Sequence, residues 1–434
     1  MKWPLSEWFA SRAKAKASPP SKRRRLKLET LEDRCVPATL HVMDMVSDSA
    51  TVGATLRHEI ALAAAGDTIV IDVAGTLTLT NGALKPTVAL TINGLGPTKD
   101  IIKAGAGINN IFFDKSAALT LSGLTLTGAH AASYGGAIYS TGGLLTIANC
   151  TISGNTATGG GGIYAKSGLT LESSTVSGNT ATTGNGGGVY ARGTTKIVNT
   201  TISGNNGGTS NGAGLFFEGG GALTICRTTI SGNTGGSGAG IYAADLSSTA
   251  TIVNSTISGN TATGTGGGIY VHGNGTMTLV NDTIALNTSQ GGNGGGGLSL
   301  TPNVGTLSVN VLNTIVANNT APPNKAPDIA GKVTATHSLI RSTMGTTFTG
   351  STATDIFGVD PHLGPLQNNG GPTMTMALLA GSLAIDAGDD SVTGGPYSLT
   401  TDQRGPGFAR KVGVHVDIGA FEYVPPPKRR GRGF

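Results

Sequence analysis

The sequence predicts an all-β chain wound mainly as a right-handed parallel β-helix, a single-stranded solenoid of about ten rungs with a short N-terminal capping helix and a C-terminal cap. Three observations predict it. A unit of roughly 27 residues recurs between Leu119 and Thr320. Two aliphatic columns run through the repeats in step, and an asparagine follows one of them at a fixed offset.

Aligned on Thr-Ile-Ser-Gly-Asn, the first column reads Ile152, Val176, Ile202, Ile230, Ile257, Ile284 and Ile315. Residues branched at Cβ suit pleated strands, and a strand stacked on its neighbours repeats its side chain at the same place on each turn. The second column reads Ile138, Ile163, Val189, Leu215, Ile241, Ile269 and Leu298. Upstream of the first column, Leu169-Thr-Leu171, Leu223-Thr-Ile225 and Met277-Thr-Leu279 alternate apolar and hydroxyl residues, the pattern of half-buried strands. About three short strands per rung leave no room for crossover helices, which excludes a doubly wound sheet.

Three residues beyond the first column stand Asn155, Asn179, Asn205, Asn233, Asn260, Asn287 and Asn318, read as a structural ladder. An amide offers both donor and acceptor, so stacked asparagines can bond one another and the turn backbone, and asparagine tolerates a left-handed bend. Glycine clusters such as Gly159 to Gly162 and Gly294 to Gly297 open the third strand of each rung. Neither a lysine nor a helix start follows them, which argues against a phosphate loop.

Composition and charge bound the function. With 70 glycines and 5% aromatics among 434 residues, an ordinary globular core is a poor fit. The net charge of +5 is concentrated at the termini, in residues 1–40 and in the tail Lys428 to Phe434, while the body between them is mildly acidic. Nucleic-acid binding is therefore not expected. Cys150 and Cys226 lie three rungs apart, too far for a disulfide, and Cys35 stands alone. No apolar run is long enough for a membrane-spanning helix.

The domain reading is a basic export-associated or disordered segment at 1–40, an N-terminal cap with irregular first rungs at 41–118, and regular repeats at 119–330. A C-terminal cap at 331–424 and a Pro/basic tail at 425–434 follow. Residues 55–71 read as a short amphipathic helix ended at Gly66 and followed by the first strand.

Gly135-Gly136-Ala137-Ile138 and its relatives resemble the repeats of polymorphic outer-membrane proteins and related bacterial β-helix surface proteins, over residues 119–320. The chain departs from them in lacking a regular C-terminal series of barrel-forming strands. Residues Leu28 to Ala38 resemble the N-terminal export-associated segment of planctomycete surface proteins. Four motifs, Gly358 to Thr373, Gly381 to Gly388, Thr401 to Gly405 and Val416 to Glu422, together resemble the choice-of-anchor Q domain of bacterial surface proteins. These resemblances imply a secreted or cell-surface protein, structural or adhesin-like, acting by display and multivalent contact with an extracellular matrix or polysaccharide.

Two alternatives stay open. Tyr139, Tyr164, Tyr190, Phe216, Tyr242 and Tyr270 each follow a second-column aliphatic and point outward by alternation, so they could grip sugar rings, or simply stack as structure. Right-handed β-helices also include polysaccharide lyases and hydrolases, which need converging carboxylates. The regular repeats hold few charges, at scattered positions. The denser group is Asp386, Asp389, Asp390, Asp402 and Asp417 with Arg404 and Arg410, which reads chiefly as loop-fixing ion pairs. No catalytic residue, metal site or cofactor is assigned.

Overall fold

The structure, a computed structural model, describes residues 36–115, 117–292, 294–302 and 306–426. The segment 1–35, with Cys35, and the tail from residue 427 onward lie outside the described residues. The described chain is a right-handed parallel β-helix. One turn shows the plan: Ile163–Ala165, Leu169–Glu172, Thr175–Ser177 and the two-residue Thr180–Ala181 follow one another round the axis. Each pairs in parallel with its counterpart a turn later or earlier: Ile163 with Val189, Leu169 with Thr195, Val176 with Ile202, and Thr180 with Thr156.

The face that carries Thr175–Ser177 stacks twelve strands, from Gly75–Leu79 to Ile356–Phe357. The stack is longer than about ten rungs because Leu339–Ile340 and Ile356–Phe357 continue it past the regular repeats. At the other end Thr39–Val42 pairs with Thr68–Ile71, so a strand precedes the helix Leu56–Leu62. That helix is an excursion within the first turn, not the start of the fold. Its N-cap is Thr55, whose hydroxyl accepts from the His58 amide, and Leu56 and Ile60 face the core. Arg57 bonds the buried Asp48 and the carbonyls of Gly82 and Ala83, fixing the helix to the next loop.

The second column is fully buried and in register from Ile138 to Leu298. The first is equally buried from Ile152 to Ile284, but its last member is Val316, not Ile315. Ile284 pairs with Val316, while Ile315 pairs with Thr283 and points outward. The asparagine ladder shifts with it. Asn287 donates to Asn319 at 3.0 Å, and Asn319 donates in turn to Asp328 at 2.9 Å. Asn318 instead has φ 58°, the left-handed place held by Gly154, Gly178, Gly204, Gly232 and Gly259 on earlier turns. In Ser-Gly-Asn the glycine takes the bend, and Asn318 is its substitute.

Each ladder asparagine repeats one scheme. Asn205 Nδ2 donates 2.9 Å to Asn233 Oδ1 and 3.1 Å to the carbonyl of Val176, and the Asn205 amide also donates to Asn233 Oδ1. Asp328 ends the series because it accepts and needs no further acceptor below it. A second, hydroxyl ladder runs one corner away. The amides of Cys150, Ser174, Thr200 and Thr228 donate to the hydroxyls of Ser174, Thr200, Thr228 and Ser255. Buried Asp282 continues it, accepting from Ser255. Cys150 thus takes a hydroxyl position, and Cys150 and Cys226 are both free thiols.

The chain beyond Ile356–Phe357 turns back as the antiparallel pair Leu363–Gln367 and Thr375–Leu378, then as irregular segments. It lies along the outward side of the Thr-Ile-Ser face and so covers the flank of the later turns. Thr229 donates to the Met374 carbonyl, Gln403 joins Thr229 and Thr256, Asn281 donates to the Asp417 carbonyl, and the Ala420 amide donates to Thr283. Ile315, Ala317 and Leu339 pack with Leu378, Ile418 and Phe421 beneath it, while Val253 and Val280 pack with Val392 and Val416. On the turns before this strap the same positions, Thr151, Thr175 and Thr201, remain partly open.

Candidate functional site

The aromatic column forms because the residue after each buried second-column aliphatic points outward. Tyr139, Tyr164, Tyr190, Phe216, Tyr242 and Tyr270 are register partners on successive turns. Their centroids lie 5.4, 4.4, 5.3, 5.2 and 4.7 Å apart. Phe113 extends the column 5.0 Å beyond Tyr139, and Tyr134 stacks on Tyr164 at 4.8 Å. Each contact stabilises by about 0.5–1.5 kcal/mol beyond area burial.

Stacking hides the ring faces. Tyr164, Tyr190 and Phe216 are buried, and Tyr139, Tyr242 and Tyr270 half-buried. Burial raises the hydroxyl pKa of Tyr164 and Tyr190, the latter also facing Glu218, and of Tyr242. The column therefore presents ring edges and hydroxyls, with little free face for a flat sugar to stack on.

Two residues beyond each ring, the chain again points outward. Here the ladder continues through the amides of Thr141, Lys166, Arg192 and Glu218, which donate to Asp114, Ser140, Ala165 and Ala191. Lys115 starts this row with its ammonium 4.9 Å from the centre of the Phe113 ring, and Lys166 lies 5.9 Å from that of Tyr164. Arg192 sits 3.8 Å from Glu218, with the arginine exposed and the glutamate partly exposed. Sequence reasoning singled out the rings and passed over this row. The signal was present as cations at a constant offset of two from the aromatics.

The C-terminal acids and arginines are joined into a buried framework. Arg404 grips Asp402 at 2.6 Å and lies between the rings of Phe408 and Phe421, 4.1 and 3.8 Å from their centres. Arg410, fully buried, pairs with Glu422 at 2.8 Å and reaches the carbonyl of Gly419 at 3.0 Å. Asp417 accepts from the amides of Asp386 and Tyr423. Burial, then the charge of neighbouring Glu422, pushes the Asp417 carboxyl up to about 7. Asp386 accepts from His415 N, Asp389 caps the short turn Asp390–Thr393, and Asp390 pairs with Lys411. These contacts tie the strap to itself and to the solenoid. Among the described residues no group of three His, Cys, Asp or Glu side chains is placed to hold a metal ion, and no helix is long and apolar enough to cross a membrane.

Residues 109–284 match the family model of a right handed beta helix region. Among solved structures, the crystal structure of pectate lyase Pel9A superposes with a TM-score of 0.47 at 14% identity, covering 89% of this chain and 96% of that one. No curated protein matches the chain.

Proposed function

We propose that the chain is a secreted or cell-surface β-helix protein of structural or adhesin-like type, acting by display and multivalent contact. The observation that carries this reading is a row of outward hydroxyls on the Leu-Thr-Ile face. Thr91, Thr120, Thr146, Thr170, Thr224, Thr251 and Thr278 are register partners on successive turns, with Lys196 between Thr170 and Thr224. Spaced by about 4.8 Å per turn, such a row offers one weak hydrogen-bonding group per rung along an extended surface. Many weak contacts on one rigid body add to useful avidity.

The resemblance to export segments and to an anchor-associated domain supports placing the protein outside the cell. Labelling of intact source cells with a membrane-impermeant reagent tests this, since a protein confined inside the cell would escape labelling. The contact surface is tested with a Thr120→Val, Thr146→Val, Thr170→Val variant on immobilised extracellular polysaccharide. Retention should fall several-fold without loss of folding, and the polymer should keep its length. Shortening of the polymer would instead mean catalysis, and unchanged retention would mean another surface.

A further inference from the structure

The charge of the described surface is strongly uneven along the axis. Between residues 82 and 200 seven lysines and arginines are exposed against one partly exposed acid, Glu172, while Asp100 and Asp114 are buried. Glu172 is further engaged by Lys196 at 2.9 Å. The mildly acidic average of the body thus conceals a basic stretch between residues 82 and 200, preceded by an acidic first segment with Asp44, Asp48, Glu59, Asp67 and Asp72 against Arg57 alone.

Within that basic stretch, cations line the aromatic column. Leu84 bridges to Phe112, which sets Lys85 one turn before Phe113 in the aromatic column. Lys85, Asn109 and Phe113 wall a notch of about 290 Å³ at this end. The loop at its rim, Gly82 and Ala83, is held by Arg57, itself paired with Asp48 at 2.5 Å. From the notch the row runs through Lys115, Lys166 and Arg192, and ends where Glu218 follows. Lys115 to Arg192 spans three turns, about 15 Å.

We propose that this stripe, from the Lys85–Phe113 notch to Arg192, is a binding site for a linear anionic polysaccharide. The cations supply the charge complement, and the tyrosine edges and Thr141 supply hydroxyl contacts between them. The register spaces the cations by one or two turns, which suits a chain carrying an acidic group on every one or two sugar rings. The stacking that hides the ring faces disfavours single-stranded nucleic acid, whose bases need open aromatic faces. This inference rests on the non-catalytic contact reading and names the polymer class for a different side of the same solenoid.

The test is equilibrium binding of the full chain to alginate, with neutral dextran and single-stranded DNA as comparisons, at two salt concentrations. Replacing Lys85, Lys115, Lys166 and Arg192 by alanine should weaken alginate binding on the order of tenfold or more, given the worth of individual exposed charge contacts. Replacing Lys99, Lys103, Lys325 and Lys332 removes the same charge elsewhere and should change it less than about threefold, with binding weakening as salt rises. Equal loss in both variants, alginate bound no better than dextran, or DNA bound as tightly as alginate would each overturn the proposal. Absence of alginate binding by the unaltered chain, with retention on neutral polysaccharide intact, would remove this site and leave the contact reading standing. Shortening of alginate would remove the contact reading itself.

Discussion

Replacing Asn233 with alanine cuts the asparagine ladder at mid-solenoid. Its Nδ2 donates 3.1 Å to the Ile202 carbonyl and 2.9 Å to Asn260 Oδ1. Its Oδ1 accepts from the Asn205 amide and from Asn205 Nδ2, both at 2.9 Å. Four bonds are lost at about 1 kcal/mol each, and a buried amide and carbonyl are left unpaired. Allowing for partial relaxation, the expected loss is about 3–5 kcal/mol. Aspartate at the same place keeps one acceptor but turns its second oxygen toward two other acceptors. Asn233→Asp should therefore be at least as damaging at neutral pH, and should partly recover in acid, where the protonated carboxyl can donate. Because long repeat arrays need not unfold in one step, denaturation should be paired with hydrogen exchange of the Asn205 amide. A loss below about 1 kcal/mol with unchanged Asn205 protection would refute the reasoning.

Other consequences follow from close approach, buried charge and titration. A Cβ on Gly136 would meet the Gly161 carbonyl oxygen, whereas one on Gly204, at φ 61°, meets nothing within 4 Å. Gly136→Ala should thus cost more in thermal unfolding than the roughly 1–2 kcal/mol of left-handed strain expected for Gly204→Ala. Arg410→Ala leaves Glu422 buried and unpaired, a loss of about 3–5 kcal/mol, read as faster proteolysis between Leu363 and Glu422 while the early turns stay resistant. Asp417 holds its proton in the folded state up to about pH 7 and in the unfolded chain only to near 3.8. Its contribution is fully present below the lower value and is lost as pH rises through the upper one. Buried Asp282 and Asp328, also raised by desolvation, act in the same direction. Denaturation midpoints should fall from pH 5 to 7, with a smaller fall in Asp417→Asn; midpoints rising over that window would contradict the assignment.

How far the sequence was legible depended on whether a residue type has one use or several. Column aliphatics and Gly-Asn pairs have a single reading on a solenoid, so the fold and most of both columns are legible in the sequence. The frame slipped by one at Ile315-Val316-Ala317-Asn318-Asn319, where paired aliphatics and paired asparagines remove the cue that glycine supplies elsewhere. The hydroxyl ladder was invisible because Ser174 and Thr200 look like any polar strand residue until their amide donors are known. The lateral strap had a trace in the outward Ile315, where the open turns carry Thr151, Thr175 and Thr201, but Val253 and Val280 have the equally apolar Val198 as a counterpart on an open turn, and an outward apolar side chain does not name what covers it. For the aromatic column the outward direction was readable and the degree of cover was not, since each ring is buried by its neighbours in the stack.

The central proposal is that this solenoid holds anionic polysaccharide by repeated surface contacts and does not transform it. The direct measurement is retention of the full chain on an insoluble anionic polysaccharide, with the chain length of the polymer recovered from the same incubation. Saturable, salt-sensitive retention with unchanged polymer length is predicted. Shortened polymer, or no retention at low salt, would contradict the account.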